Sequence, residues 1–279
     1  MAVSRKKKQK RQNLIKNGIL LVLTVITAVP LYITLINAFK PTAEITKSPL
    51  SLPLPPTLEN MVSVIRNPNV HLGEMYFNSV CIAVFGMTGC IIVSALAGYY
   101  LAREASRLSH NLLIYFLFGL MVPYVIVYVP LVTLFKGTNF LGTLPGLILV
   151  FISGSISFSV FMFQGFIRTI PTELDEAAIL DGASQFQIFS RVILPLIKPC
   201  TTTVAIFIGL SMWNDFLTPL LIGQKITITV GIYTAIGPYA SDWGTVFAYV
   251  LFATAPIVAL YLLAQDQFIS GLTVGAVKG

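Results

Sequence analysis

The chain has 279 residues, of which 56% are hydrophobic and only 10% charged, whereas an ordinary soluble domain carries about 25% charged residues. That composition excludes a soluble globular protein. The net charge of +7 would suit a nucleic-acid partner, but seven of the eighteen cations (Arg5, Lys6, Lys7, Lys8, Lys10, Arg11 and Lys16) sit in the first sixteen residues. The remainder is nearly neutral, which excludes a general nucleic-acid binder.

A bilayer core about 30 Å thick requires roughly 20 apolar residues per helix. Six stretches without Asp, Glu, Lys or Arg reach or approach that length: Asn17 to Phe39, Met75 to Ala102, Asn111 to Phe135, Gly137 to Ile167, Pro199 to Asn214 and Trp243 to Gln265. The fifth, with 16 residues, is short unless it begins inside the preceding Leu194 to Lys198 segment. The first is too long for a signal-peptide core and lacks a small-residue cleavage site, so it reads as a retained span. With the N-terminus inside, the inner segments hold thirteen cations and the outer ones five. The positive-inside rule then places both termini in the cytoplasm. The expected fold class is all-α, a polytopic membrane protein of six transmembrane helices. Residues 1–16 form a basic tail, 17–270 the membrane domain and 271–279 a C-terminal tail.

Between the first two spans, Lys40 to Glu74 opens with KPTAEITKSPLSLPLPPT, whose five prolines predict an extended lid. The third span places Tyr124 and Tyr128 on one face. Residues 168–198, after the fourth span, hold the densest acidic cluster of the chain. Thr172 three residues before Asp175 predicts an N-cap, and Ser184 three before Gln187 a capping box. Asp181 and Gly182 supply a stop in which glycine takes positive φ. Two short helices joined by a tight turn follow from this. Leu174, Ala177 and Ala178 share one face of the first, and Glu173, Glu176 and Asp181 offer charges on another. Phe186, Phe189 and Val192 or Ile193 of the second would bury, and Pro195 ends the pattern. Farther on, Gly223 to Asp242 is read as an outer loop with a β-like IxITV alternation. Cys81, Cys90 and Cys200 are odd in number and without CxxC spacing, so they read as small packing residues.

The run Glu176, Ala177, Ala178, Gly182, Val192, Leu194, Pro195 resembles the EAA loop of ATP-binding-cassette importer permeases, with Val192 where that pattern usually has Ile. NSVCIAV from Asn78, ALAGYYLAR from Ala95, WNDFLTPL from Trp213 and the tail GLTVGAVKG from Gly271 resemble the carbohydrate branch, of the maltose-transporter inner-membrane type. The resemblance covers essentially the whole chain. It implies a type I importer fold and a coupling helix, seated in a cleft of an ATPase subunit, that uses Glu176, Ala177, Ala178, Asp181, Gly182, Leu194 and Pro195. It also implies a tail (Gly271, Leu272, Gly275) reaching the ATPase interface. A third implied feature is an outer loop (Tyr233, Gly237, Pro238, Tyr239) that enters a docked binding protein.

No glycine precedes a lysine, so the GK[ST] of a P-loop is absent and no enzyme activity is expected on this chain. ATP and Mg are expected on two partner ATPase subunits, alongside a second six-helix permease and an extracytoplasmic solute-binding protein, in the cell membrane of a prokaryote. Polar groups inside spans are candidates for the substrate path: Tyr124, Tyr128, Gln164 and Asn214. Tyr and Trp also collect at interfaces, and Gln also bonds between helices. A secondary transporter would carry an intramembrane ionisable residue, and the six runs are by construction free of Asp, Glu, Lys and Arg. A polytopic membrane enzyme would need histidine near acids, and the acidic cluster has none. A permease for another small polar solute remains the alternative within the transporter class.

Overall fold

The structure is a computed structural model that describes residues 2–68, 71–224, 227–236 and 242–276, and the side chains of these except 2–8, 10, 11, 234–236, 264 and 266–276. The described residues are helical or irregular, with no strand among them. Two compact units form: Met1–His71 with Thr234–Ala255, and Leu72–Tyr233 with Pro256–Gly279.

In the first unit, α1 (Ala2–Ala38) carries the basic residues at its head and then an apolar stretch, Gln12–Ala38, long enough to span. Leu20, Leu21, Val25, Ile26 and Leu31 are all exposed, as expected of a helix whose solvent is lipid. Beyond it the predicted extended lid is only partly extended. Thr42–Ile45 makes one helical turn (α2), since Pro41 at its N-cap needs no amide bond, and Glu59–Arg66 forms α3. The intervening segment wraps Lys40, which is fully buried. Its Nζ donates to the carbonyls of Ser48 (2.8 Å) and Ser51 (2.6 Å) and to Ser51 Oγ (3.2 Å). Asn60 donates to the carbonyls of Ala38 and Lys40, closing the end of α1. In the same unit Asp242 accepts from the hydroxyls of Thr42 (2.8 Å) and Thr245. Burial pushes its carboxyl up, but those hydroxyls and the Thr245 and Gly244 amides override this and hold it below the usual carboxylate range.

The second unit begins with α4 (Leu72–Cys81), a π turn at Ile82–Gly86 and α5 (Met87–Arg103), which together form one span. The third predicted span is two helices, α6 (Arg107–Met121) and α7 (Tyr124–Thr138), bent by 101°. Pro123 forces the break by driving Val122 out of the helical region, to φ −77°, ψ 118°. α8 (Leu144–Ile167) is the central span. It packs most extensively on α5, where a Cβ on Gly98 would lie 2.7 Å from Phe163 Cβ and 3.0 Å from the Gln164 amide nitrogen. Only glycine permits that approach.

The inner segment folds as α9 (Glu173–Leu180), α10 (Gln185–Ile188), a π turn at Phe189–Ile193 and α11 (Leu194–Leu196). α12 (Lys198–Asn214) begins one residue before the fifth apolar run, after a 74° bend at Ile197. A π turn at Pro219–Gly223 follows, and then α13 (Ile228–Ile236) stands inside the segment read as an outer loop with β-like alternation. Thr227 Oγ1 accepts from the Val230 amide (3.4 Å) and Ser79 Oγ from the Ile228 amide (3.1 Å), so the first turn is capped as a helix. α14 (Trp243–Ala276), shared between the units, continues through Gly271, Leu272 and Gly275, which the sequence reading places in a flexible tail. Among the described residues four helices are long and apolar enough to cross a membrane, or up to six if each bent pair is one span. The core of the second unit joins α5, α8 and α12 to the inner segment through Phe163, Ile167, Ile188, Ile193, Ile197 and Val204. Cys90 and Cys200 are buried and free, Cys81 half-buried, in keeping with their reading as packing residues.

Candidate functional site: the inner segment and its anchor

Gly182 takes φ +79°, and its amide and that of Ala183 bond back to the carbonyls of Ile179 (2.9 Å) and Ala178 (2.9 Å). The predicted turn is therefore present. So is the capping box: Gln187 Oε1 accepts from the Ser184 amide (2.8 Å), and Ser184 Oγ from the Gln187 amide (3.4 Å). The predicted cap at Thr172 is not. Thr172 is itself helical and its side chain makes no cap bond.

Asp175, the expected partner in that cap motif, is instead turned into the bundle. Its Oδ2 lies 2.7 Å from Arg103 Nη2 and its Oδ1 accepts from Tyr99 Oη at 2.9 Å. Arg103 also donates through Nη1 to the carbonyls of Ile170 (3.0 Å) and Ile167 (3.4 Å) at the end of α8. The Arg103 and Asp175 side chains are 14% and 11% exposed, so removing one alone leaves a buried unpaired charge, in general a loss of about 3–5 kcal/mol. One guanidinium thus joins the ends of α5 and α8 to the side of α9. The sequence reading missed this trio. The available signal was the i, i+4 spacing of Tyr99 and Arg103, which puts both on one helix face.

With Asp175 inward, α9 turns its other side out. Leu174, Glu176, Ala177, Ile179 and Asp181 are exposed, Leu180 is 88% exposed, and only Ala178 packs against the core. The expected common face of Leu174, Ala177 and Ala178 is therefore divided. Phe189 and Ile193 bury as expected and Val192 is half-buried, but Phe186 is exposed because the box-capped start of α10 points it outward. Leu194 and Pro195 are exposed at the exit from the π turn. The result is a two-helix element fixed to the bundle on one side by charge and by buried Ile188, Phe189 and Ile193, with apolar and acidic groups free on the other. Such an element can receive a partner surface.

Residues 91–273 match the family described as binding-protein-dependent transport system inner membrane component. The chain belongs to that family. It is 34% identical to the probable starch degradation products transport system permease protein AmyC of Thermoanaerobacterium thermosulfurigenes, over 92% of this chain and 94% of that one. The diacetylchitobiose uptake system permease protein NgcG of Streptomyces coelicolor is 32% identical, over 95% and 88% respectively. A chain of the bacterial ABC transporter involved in import of the acidic polysaccharide alginate superposes with a TM-score of 0.80 at 20% identity, covering 92% of this chain and 96% of that one. The fold is thus that of an ABC importer permease, in a multi-pass membrane protein.

The candidate path residues of this permease do not converge. Tyr124 and Tyr128 pair edge to face at 5.3 Å and share a face as expected, but their hydroxyls are engaged inside the protein, with the Val150 carbonyl (3.1 Å) and Thr218 Oγ1 (2.8 Å). Thr218 in turn donates to Asp215, whose other oxygen accepts from the Leu217 and Thr218 amides. Gln164 is buried beside Gly98, with no partner for Nε2 among the described residues. Asn214 is exposed at the end of α12. Of the binding-protein loop, Tyr233 lies in α13, stacked on Phe216 at 5.4 Å, while Gly237, Pro238 and Tyr239 lie outside the described residues.

Proposed function

We propose that this permease is the membrane-spanning subunit of an ATP-driven importer of sugars or oligosaccharides. In that assembly residues 168–198 are the element through which ATPase subunits act. The observation that carries the coupling role is the inner segment itself, clamped to the bundle through Asp175 while Leu174, Glu176, Ile179, Leu180 and Asp181 stand free. An apolar patch bordered by carboxylates suits a cleft with apolar walls and a basic rim. The carbohydrate class rests on the relatives, named for transport of starch degradation products, diacetylchitobiose and multiple sugars.

In the proposed assembly a second six-helix permease completes the pathway, two ATPase subunits hold ATP and Mg, and a solute-binding protein delivers substrate. The cation asymmetry of thirteen to five puts both termini and residues 168–198 in the cytoplasm. The end of the chain, with Gly271, Leu272 and Gly275, is proposed to meet the ATPase pair. Deleting the chain's gene in its host should abolish uptake of one or more labelled oligosaccharides from a panel, and a tagged copy should bring down an ATPase and a second permease. Normal uptake of every oligosaccharide, with loss of amino-acid or peptide uptake, would overturn the substrate class.

A further inference from the structure

The Arg103–Asp175 pair stands at a junction of three elements. α5 is the end of one span, α8 the end of another, and α9 the exposed helix between bundle and partner. A buried ion pair adds little net stability, because desolvation offsets most of its attraction. What it adds is direction. Arginine's planar fork is directional: here Nη1 donates to two carbonyls and Nη2 forms an ion pair with one carboxylate oxygen, while Tyr99 donates to the other carboxylate oxygen. The Tyr99 ring leans on Phe189 at 5.6 Å, extending the same cluster into the π turn that leads to α12. Apolar contacts alone, such as those of Ile170 and Ile188, permit α9 to slide or roll, whereas this set of bonds does not.

We propose that Arg103, Asp175 and Tyr99 form a clamp that makes α9 and the Leu72–Arg103 span one rigid body, so that displacement of α9 by a partner turns the span instead of tilting α9 alone. These are positioning residues, acting through the exposed face of α9. The inference rests on the coupling role proposed above.

The test uses the whole transporter, purified with its co-expressed partners, in a Cys81→Ser, Cys90→Ala, Cys200→Ala background. Spin labels at Glu173→Cys on α9 and Val93→Cys on α5 report one distance, measured nucleotide-free and with ATP and vanadate. In the parent that distance stays constant while ATP hydrolysis responds to the binding protein. In Asp175→Asn, which keeps the shape and removes the charge, the distance should broaden and change with nucleotide. Stimulation of hydrolysis by the binding protein should fall by about tenfold, within the range of coupled sites. Arg103→Met with Asp175→Leu guards against simple misfolding: apolar replacement of both partners keeps assembly, yet the same broadening and loss should follow. Arg103→Lys, with a point charge in place of the fork, should fall between. Unchanged distances and stimulation in both the Asn variant and the apolar double variant would overturn the clamp while leaving the importer reading intact. Failure of any ATPase to purify with the parent chain would overturn the importer reading and the clamp with it.

Discussion

Two buried cations anchor connecting segments in this permease, by different means. Lys40 has no carboxylate partner among the described residues: its ammonium is enclosed by a loop that turns three oxygens of Ser48 and Ser51 toward it. Arg103 meets Asp175 and two helix-end carbonyls, and so joins elements that already have their own secondary structure. In the first case the loop exists around the charge, and the ammonium satisfies carbonyls that a coil segment cannot pair internally. In the second the helices exist without the charge, and the pair selects their relative orientation. A charge therefore builds local structure at Lys40 and sets geometry at Arg103.

The sharpest way to break this contrast is substitution of each cation. Arg103→Ala strands Asp175 and should lower unfolding stability by about 3–5 kcal/mol, read as a denaturation shift in detergent. Apolar replacement of both partners should recover most of it. Lys40→Met should remove less, about 1–3 kcal/mol for a carbonyl left unsatisfied, but should open residues 46–58 to protease while the second unit resists. Equal losses and equal protease patterns would erase the distinction. Gly182→Val places a β-branched residue at φ +79°, a strain of about 1–2 kcal/mol. Membrane insertion and yield should survive and transport should fall; transport at the parent rate would remove the turn from the coupling route.

The smallest effect concerns Asp242, a carboxylate held by hydroxyls and amides. Its folded pKa lies below the ordinary value, so its contribution is complete above the unfolded pKa and lost as pH falls through the lowered folded one. Asp242→Asn should lower melting slightly at neutral pH, where that contribution is complete, and converge with the parent in acid, which flattens the acid side of the stability profile. An identical acid profile in parent and variant would show that its hydrogen bonds do not discriminate the charged form.

What was legible in the sequence was local. Gly182 and the Ser184–Gln187 box are signals contained within four residues, and both stand as read. The apolar runs mark four spanning helices, but run length does not register the bends at Val122–Pro123 and at Ile197, although a proline signals the first. α13 stands inside a segment whose sequence reads as an outer loop, since Ile, Thr and Val alternate there in a β-like way; the features that favour helix are the Thr227 cap and a bond from Thr229 Oγ1 to the Asp215 carbonyl fourteen residues away. The Arg103–Asp175 and Tyr99–Asp175 contacts span more than seventy residues, and no periodicity encodes such a pairing. From sequence the nearest plausible partner of Asp175 is Thr172, but the Arg103 guanidinium competes far better for a carboxylate.

The corner between α6 and α7 bears on how the protein enters its membrane. Each arm has 15 residues, about 22 Å at 1.5 Å per residue, and neither bridges a hydrocarbon layer of about 30 Å by itself. The insertion machinery therefore cannot commit either arm independently, and the two must partition as one folded-over segment. At the corner the helical ladder is interrupted, and unpaired amides and carbonyls are not tolerated against acyl chains. That stretch of backbone, residues 121–124, therefore has to stay hydrated or covered by protein as the segment enters the membrane.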